Sequence, residues 1–155
     1  MEQGDFIEKL YCSELKKLIR AANLKLRNYQ TAEDMAQDVF VLAQEKREAL
    51  MSHPEPERWL LNVLRKKLMH EFRARSKFMG ALIELEARAR SEEFADNEFK
   101  SELFDCLTEE EIEMLKLIWV DGYTIRMVAE KLGIKYETCR RRIQRAKDKI
   151  RDCEK

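Results

Sequence analysis

Residues 124–146 read TIRMVAEKLGIKYETCRRRIQRA, and this stretch decides the fold of the C-terminal part of the chain. Thr124 is a typical helix N-cap, and Gly133 is placed to stop the short helix behind it in a left-handed conformation. A longer helix is predicted from about Tyr136 to Arg151. Its apolar residues recur at steps of four, three and four, namely Cys139, Ile143, Ala146 and Ile150. Two helices joined in this way fit a helix-turn-helix, whose second helix can enter the major groove of DNA.

The other face of that second helix is strongly basic. Residues 135–151 contain eight basic residues and two acids, a net charge of +6. The planar fork of arginine matches guanine edges and phosphates, and base edges are usually contacted near the start of such a helix. The side chains predicted to face DNA are Lys135, Glu137, Thr138, Arg140, Arg141 and Arg145. A run such as 140–142 can also be a solvated surface, in which case the chain is a helical adaptor that binds only protein.

Capping residues, prolines and apolar periodicity before this motif predict four more helices. Thr108 and Glu111 form the pattern of a capping box at the start of one of them. Near the N-terminus, a helix is predicted over about 6–26, and Thr31 is a plausible N-cap for the next. Both prolines lie in a predicted loop at 52–56, which precedes another helix that is apolar on one side and basic on the other.

Two basic segments of the chain flank an acidic one. Residues 58–77 carry seven basic residues against one acid, whereas 84–113 carry three against twelve. The stretch from about 79 to 106 also has weak helical periodicity. We therefore predict an all-α fold of two small helical domains, residues 1–78 and 104–155, joined by an acidic linker at 79–103, with the helix-turn-helix in the second domain.

Composition excludes several classes of protein. The 155 residues include four glycines and two prolines, too few for a many-stranded β protein, and a hydrophobic content of 45% argues against wholesale disorder. The acidic N-terminus and the lack of an apolar run of about 18 residues predict a cytoplasmic protein without a membrane span. The four cysteines lack a C-x-x-C pair, so reduced thiols are expected rather than disulfides or a zinc site. No catalytic grouping or phosphate-binding glycine loop is present, so we expect neither an enzyme nor a bound metal or cofactor.

Three blocks of the chain, in the right order, resemble a bacterial sigma factor of the extracytoplasmic-function type. Residues 32–40, AEDMAQDVF, are similar to the family's A-E-D-L-x-Q-[ED]-x-F segment. Residues 56–60, PERWL, and the basic stretch 65–75 resemble the family's P-x-x-W-L segment and the basic residues that follow it. Residues 107–151 resemble the family's helix-turn-helix block. The last block alone would fit other regulators.

The resemblance implies a promoter-specificity subunit that binds core RNA polymerase and promoter DNA and directs transcription initiation. It implies that core polymerase is bound by Glu33, Asp34, Gln37 and Asp38. It implies that the minus-ten element is bound by Arg65, Lys66, Arg73 and Arg75. The DNA-facing residues of the last helix then bind the minus-thirty-five element. An anti-sigma factor is a possible further partner.

Some positions depart from the family's pattern, and one alternative function stays open. Lys66 and His70 stand where the family usually has Asn and Asp, and Arg141 replaces a small alcohol. Arg141 therefore suggests an altered minus-thirty-five preference, for guanine. The alternative is a stand-alone helix-turn-helix regulator, which would need a dimer and a palindromic site. No heptad seam for such a dimer is evident in the sequence.

Overall fold

The chain folds into α-helices. The computed structural model describes residues 2–90 and 102–153, and no β-strand occurs within these ranges. The helices described there are α1 (Glu2–Leu26), α2 (Tyr29–Glu45), α3 (Arg47–Ser52), α4 (Pro56–Ala89), α5 (Glu102–Asp105), α6 (Glu109–Trp119), α7 (Ile125–Leu132) and α8 (Tyr136–Asp152). None of them is long and apolar enough to cross a membrane. The predicted all-α fold is confirmed.

Two compact units divide the chain, Met1–Met69 and His70–Lys155, and the division falls inside α4. In the first unit, α1 and α2 pack against each other. Fully buried alanines on these two helices are Ala22, Ala32, Ala36 and Ala43. Small side chains let helix axes approach closely. The ring of Tyr11 meets that of Phe40 edge-on, with 5.0 Å between centroids.

The start of α2 differs from the sequence-based expectation, and Thr31 is not its N-cap. Asn28 has extended backbone angles, and its side-chain oxygen accepts a hydrogen bond from the N–H of Thr31 at 3.1 Å. Arg27, just before it, has a φ of 53°, which separates α1 from α2. Asparagine is among the strongest N-caps, so α2 begins almost a turn earlier. Glu33 and Asp34 consequently lie beyond its first turn.

The second unit is built around a core that includes the last part of α4. Phe78 is fully buried, and its ring packs edge-on against Trp119 and Phe104, with centroid distances of 5.4 and 5.6 Å. Leu82, one turn further, belongs to the same buried cluster. The helix therefore continues through residues 79–89 of the predicted linker, because its apolar face has a core to pack against. Residues 91–101 of that linker lie outside the described residues, and the functional roles of the three segments stay predictions.

Three predicted helix signals of the C-terminal part are confirmed. Thr108 and Glu111 form a capping box, in which each side chain accepts a hydrogen bond from the other residue's backbone N–H. Thr124 caps α7 by accepting from the N–H of Met127 at 3.2 Å. Gly133 ends α7 with a φ of 68°, in the left-handed region. These signals fix where α6 and α7 begin and where the turn before α8 lies.

The expectation of four reduced thiols is wrong for one pair. Cys106 and Cys153 are joined by a disulfide, whereas Cys12 and Cys139 are free. The two bonded residues lie 47 positions apart, and α6, α7 and α8 all lie between them. Their pairing follows from the way α8 returns to the start of α6, which the spacing of cysteines along the sequence does not reveal.

Alanine substitutions at two glycines should change stability in opposite directions. Replacing Gly133 forces a Cβ into a left-handed conformation, so G133A should lower the free energy of unfolding by about 1 kcal/mol. Gly80 lies inside α4, and a Cβ there would meet nothing within 4 Å. G80A should therefore raise the free energy of unfolding by about 0.5–1 kcal/mol. Urea unfolding of both variants measures this, and shifts of the same sign would contradict it.

Candidate nucleic-acid interface

The buried stripe of α8 decides which side chains face outward. Its members are Cys139, Ile143, Ala146 and Ile150, and each is at most 1% exposed. They pack in the same core as α6, α7 and the end of α4. This is the stripe that the four-three-four spacing predicted. The opposite face of α8 is thereby left to solvent.

All six residues predicted to bind DNA here lie on α8 or at its N-cap. Lys135, Glu137, Arg141 and Arg145 are exposed, and Thr138 and Arg140 are half-buried. Lys135 is the N-cap residue, but its side chain makes no capping hydrogen bond. The first backbone N–H groups of α8 therefore lack a side-chain cap, and such groups attract phosphate. The start of α8 therefore combines cationic side chains with the partial positive charge of a helix N-terminus.

The three consecutive arginines of α8 are not equivalent. Arg142 donates to Glu110 of α6 at 2.7 Å, which ties its guanidinium to a neighbouring helix. Arg140 lies 3.7 Å from the carboxylate of Glu137. Within the described part of the chain, Arg141 makes no ion pair. Arg141 thus presents an uncommitted guanidinium on the exposed face.

Sequence reasoning missed one basic residue beside this face. Arg126 of α7 is exposed, and its guanidinium lies 5.0 Å from the ring centroid of Tyr136, the first residue of α8. This cation–π contact places a further positive charge at the start of α8. The sequence shows that α7 contains a single arginine, Arg126. It does not show that Arg126 lies next to Tyr136 once the chain is folded.

A carboxylate is buried in the core behind α8. Glu71 is 8% exposed; it accepts hydrogen bonds from the indole Nε1 of Trp119 at 2.9 Å and from Lys147 Nζ at 2.6 Å. Burial alone would raise the pKa of Glu71. The charge and hydrogen bond of Lys147, the indole N–H and the charge of Arg75 outweigh burial and hold that pKa below its ordinary value.

This carboxylate was also missed, although the sequence carries a signal for it. Leu68, Glu71, Ala74 and Phe78 recur at helical spacing, so the glutamate occupies an apolar position of α4. A charged residue is almost never buried without a partner. What the sequence does not show is that Lys147, on a helix far along the chain, is the partner.

The residues assigned to the minus-ten element are all exposed on α4 but belong to two units. Arg65 and Lys66 lie in the first unit, and Arg73 and Arg75 lie in the second. His70 is exposed as well. Their joint role in one DNA contact stays a prediction.

The residues assigned to core polymerase lie together on α2 and are half-buried: Glu33, Asp34, Gln37 and Asp38. The amide of Gln37 donates to the phenol oxygen of Tyr11 on α1 at 2.9 Å. Gln37 is therefore held partly by its own unit. The other three present carboxylates along one helix, a suitable polar surface for a basic partner.

A comparison with known protein families identifies the segment that contains α6, α7 and α8. Residues 103–152 match the family model of sigma-70, region 4. This match indicates a sigma factor or a related helix-turn-helix DNA-binding regulator. The region 4 match begins in α5 and ends with α8, so it contains every predicted minus-thirty-five residue. No curated protein sequence matches the chain. Within the described ranges, no cluster of histidine, cysteine, aspartate or glutamate could hold a metal ion.

Proposed function

We propose that the chain is a promoter-specificity subunit of bacterial RNA polymerase, a sigma factor of the extracytoplasmic-function type. It binds core polymerase through α2, the minus-ten element through α4 and the minus-thirty-five element through α8. It acts in the cytoplasm, carries out no catalysis itself and uses no cofactor. An anti-sigma factor is a further partner in this proposal.

The observation that carries the proposal is the region 4 match over a domain whose last helix is buried on one face and basic on the other. Cys139 and Ile143 anchor α8 in the core, while Arg141 and Arg145 stay exposed on it. Such a helix can enter the major groove, and its arginines can donate to guanine or phosphate.

The promoter-specific part of the proposal is supported by the blocks in the first half of the chain. The segment AEDMAQDVF lies on α2, and PERWL opens α4, which carries basic residues on its exposed side. A stand-alone regulator has no need of a second basic helix of this kind or of an acidic patch for polymerase. The resemblance of these blocks is what distinguishes a sigma factor from other region 4 proteins.

Run-off transcription with bacterial core polymerase tests the proposal directly. Core polymerase is given a promoter library with randomised sequence, with and without the full chain. We expect protein-dependent transcripts from promoters that share two spaced elements. A chain carrying both R141A and R145A should lose these transcripts while it still co-elutes with core polymerase.

Each alternative has its own outcome in this experiment. No transcripts and no co-elution with core would reject the sigma factor and favour a stand-alone regulator, which light scattering should then find as a dimer. Unchanged transcription by the double-arginine variant would reject α8 as the minus-thirty-five reader and favour a role in protein binding only.

A further inference from the structure

The disulfide joins the two ends of the DNA-binding domain. Cys106 lies just after α5 and two residues before the N-cap Thr108, and Cys153 is the C-cap of α8. The crosslink therefore closes a loop that contains α6, α7 and α8. Everything that the proposed minus-thirty-five contact needs lies inside this loop.

Contacts other than the disulfide also hold the two ends of the DNA-binding domain together. Lys149, in the last turn of α8, donates to Glu111 in the first turn of α6 at 2.8 Å. Leu107, next to Cys106 in the chain, and Ile150, next to Lys149, are both buried in the domain core. These contacts do not involve the two sulfurs, so we expect Cys106 and Cys153 to stay close when the bond is broken. Closure from the dithiol is then an intramolecular step at high effective concentration.

The disulfide lies at the surface of the domain, beside a hollow. Cys106 is exposed, and a surface hollow of about 340 Å³ lies beside the disulfide. It is lined by the two cysteines and by Arg145, Asp148, Lys149 and Asp152. An exchanging thiol needs access to one of the two sulfurs. The hollow supplies that access without opening the core, and Arg145 connects it to the predicted DNA-facing residues.

The remaining two thiols are placed differently. Cys139 is fully buried, and its Sγ lies 3.8 Å from the carbonyl oxygen of Ile125. Burial raises the pKa of the Cys139 thiol, which disfavours the reactive thiolate. Cys12 is exposed but lies in the first unit. Cys12 therefore offers a control thiol outside the DNA-binding domain.

We propose that Cys106 and Cys153 form a reversible redox tether that sets the stability of the helix-turn-helix domain and thereby its capacity to bind DNA. The DNA part of this proposal rests on the proposed function, whereas the stability part does not. A disulfide stabilises a fold chiefly by restricting the unfolded chain, and the effect grows with the length of the closed loop. Oxidation thus extends the temperature range over which the domain stays folded and α8 can bind DNA.

The oxidant is a low-molecular-weight disulfide of the glutathione class. One protein thiolate attacks it, forms a mixed disulfide and releases one small thiol. The second protein thiolate then displaces the other small thiol and closes the Cys106–Cys153 bond. In total, two protein thiols lose two protons and two electrons, and one small disulfide becomes two thiols. The reverse exchange reopens the tether.

Melting curves of the full chain in defined glutathione buffers test the tether. A W59F background leaves Trp119 fluorescence to report on the second unit, and alkylation followed by mass spectrometry measures the bonded fraction. We expect the oxidised chain to melt at least about 10 °C above the reduced chain. C106S and C153S should melt like the reduced chain in every buffer, and C12S should respond like the parent.

A second experiment tests whether the redox state controls DNA binding. It uses a duplex from a promoter found in the run-off experiment and measures binding by fluorescence anisotropy at a temperature between the two melting temperatures. Oxidised chain should bind and reduced chain should not. Equal melting temperatures, or a bond that glutathione neither forms nor opens in the folded chain, would overturn the tether. A shifted melting temperature with the same DNA affinity in both redox states would overturn the coupling. If neither redox state gives protein-dependent transcripts with core polymerase while the melting shift is present, the proposed function fails and the tether stands.

Discussion

Replacing Glu71 with alanine is expected to lower the free energy of unfolding of the second unit by about 3 kcal/mol. The carboxylate accepts hydrogen bonds from both Trp119 and Lys147, and it is almost fully buried. Its removal leaves an ammonium group and an indole N–H without their acceptor in a low-dielectric core. The loss of one member of a buried pair costs far more than the loss of a surface pair.

Glu84 supplies a matched control on the same helix. Its ion pair with Arg88 spans 3.3 Å, and both side chains are more than half exposed. E84A should therefore change the free energy of unfolding by less than about 0.5 kcal/mol. Urea unfolding under one fixed redox condition, followed by Trp119 fluorescence in the W59F background, compares the variants. Equal effects of E71A and E84A would show that the buried network does not stabilise the core.

Because of Glu71, the free energy of unfolding of the second unit should depend on pH. Because the pKa of Glu71 is lowered in the folded chain, the unfolded chain binds its proton more readily. The stability from Glu71 is complete above the ordinary pKa of 4.5 and is lost as pH falls below it, through the lowered folded-state pKa. The difference in unfolding free energy between the parent and E71A should thus be constant from pH 7 to 6 and shrink below about 4.5.

Local signals were enough to predict the elements of the DNA-binding domain. The capping box at Thr108, the cap at Thr124 and the left-handed Gly133 depend on neighbouring residues only, and each is present in the structure. The apolar stripe of α8 depends on helical periodicity alone. A similar local argument failed at Thr31, because Asn28 competes for the same role three residues earlier and is the stronger cap.

Long-range pairings could not be predicted from the same information. The continuation of α4 past residue 78 depends on Phe78 meeting Trp119, and the disulfide depends on α8 returning to the start of α6. Both join positions more than 40 residues apart. Spacing along a single sequence contains no record of such contacts. The charged pair of Glu71 and Lys147 belongs to the same class.

Replacing Arg141 with alanine is expected to weaken binding to minus-thirty-five DNA by about 5- to 150-fold, since a base contact contributes about 1–3 kcal/mol. Arg141 is exposed, and its guanidinium makes no ion pair in the described part of the chain. It is therefore available to donate to a guanine edge. The loss should be concentrated at one promoter position, where the variant should accept other bases, and competition binding with single-base variants of the element measures this.

The adjacent Arg142 is the matched control for that prediction. Its guanidinium already donates to Glu110 at 2.7 Å, so a DNA contact would have to compete with this ion pair. R142A should change DNA affinity by less than about fivefold and leave the base preference intact, since a surface ion pair contributes at most about 1 kcal/mol. A loss at R141A that is the same for every base would identify a phosphate contact, with a salt dependence reduced by about one unit. Larger losses at R142A than at R141A would instead place the DNA on the α6 side of α8 and reverse the assignment.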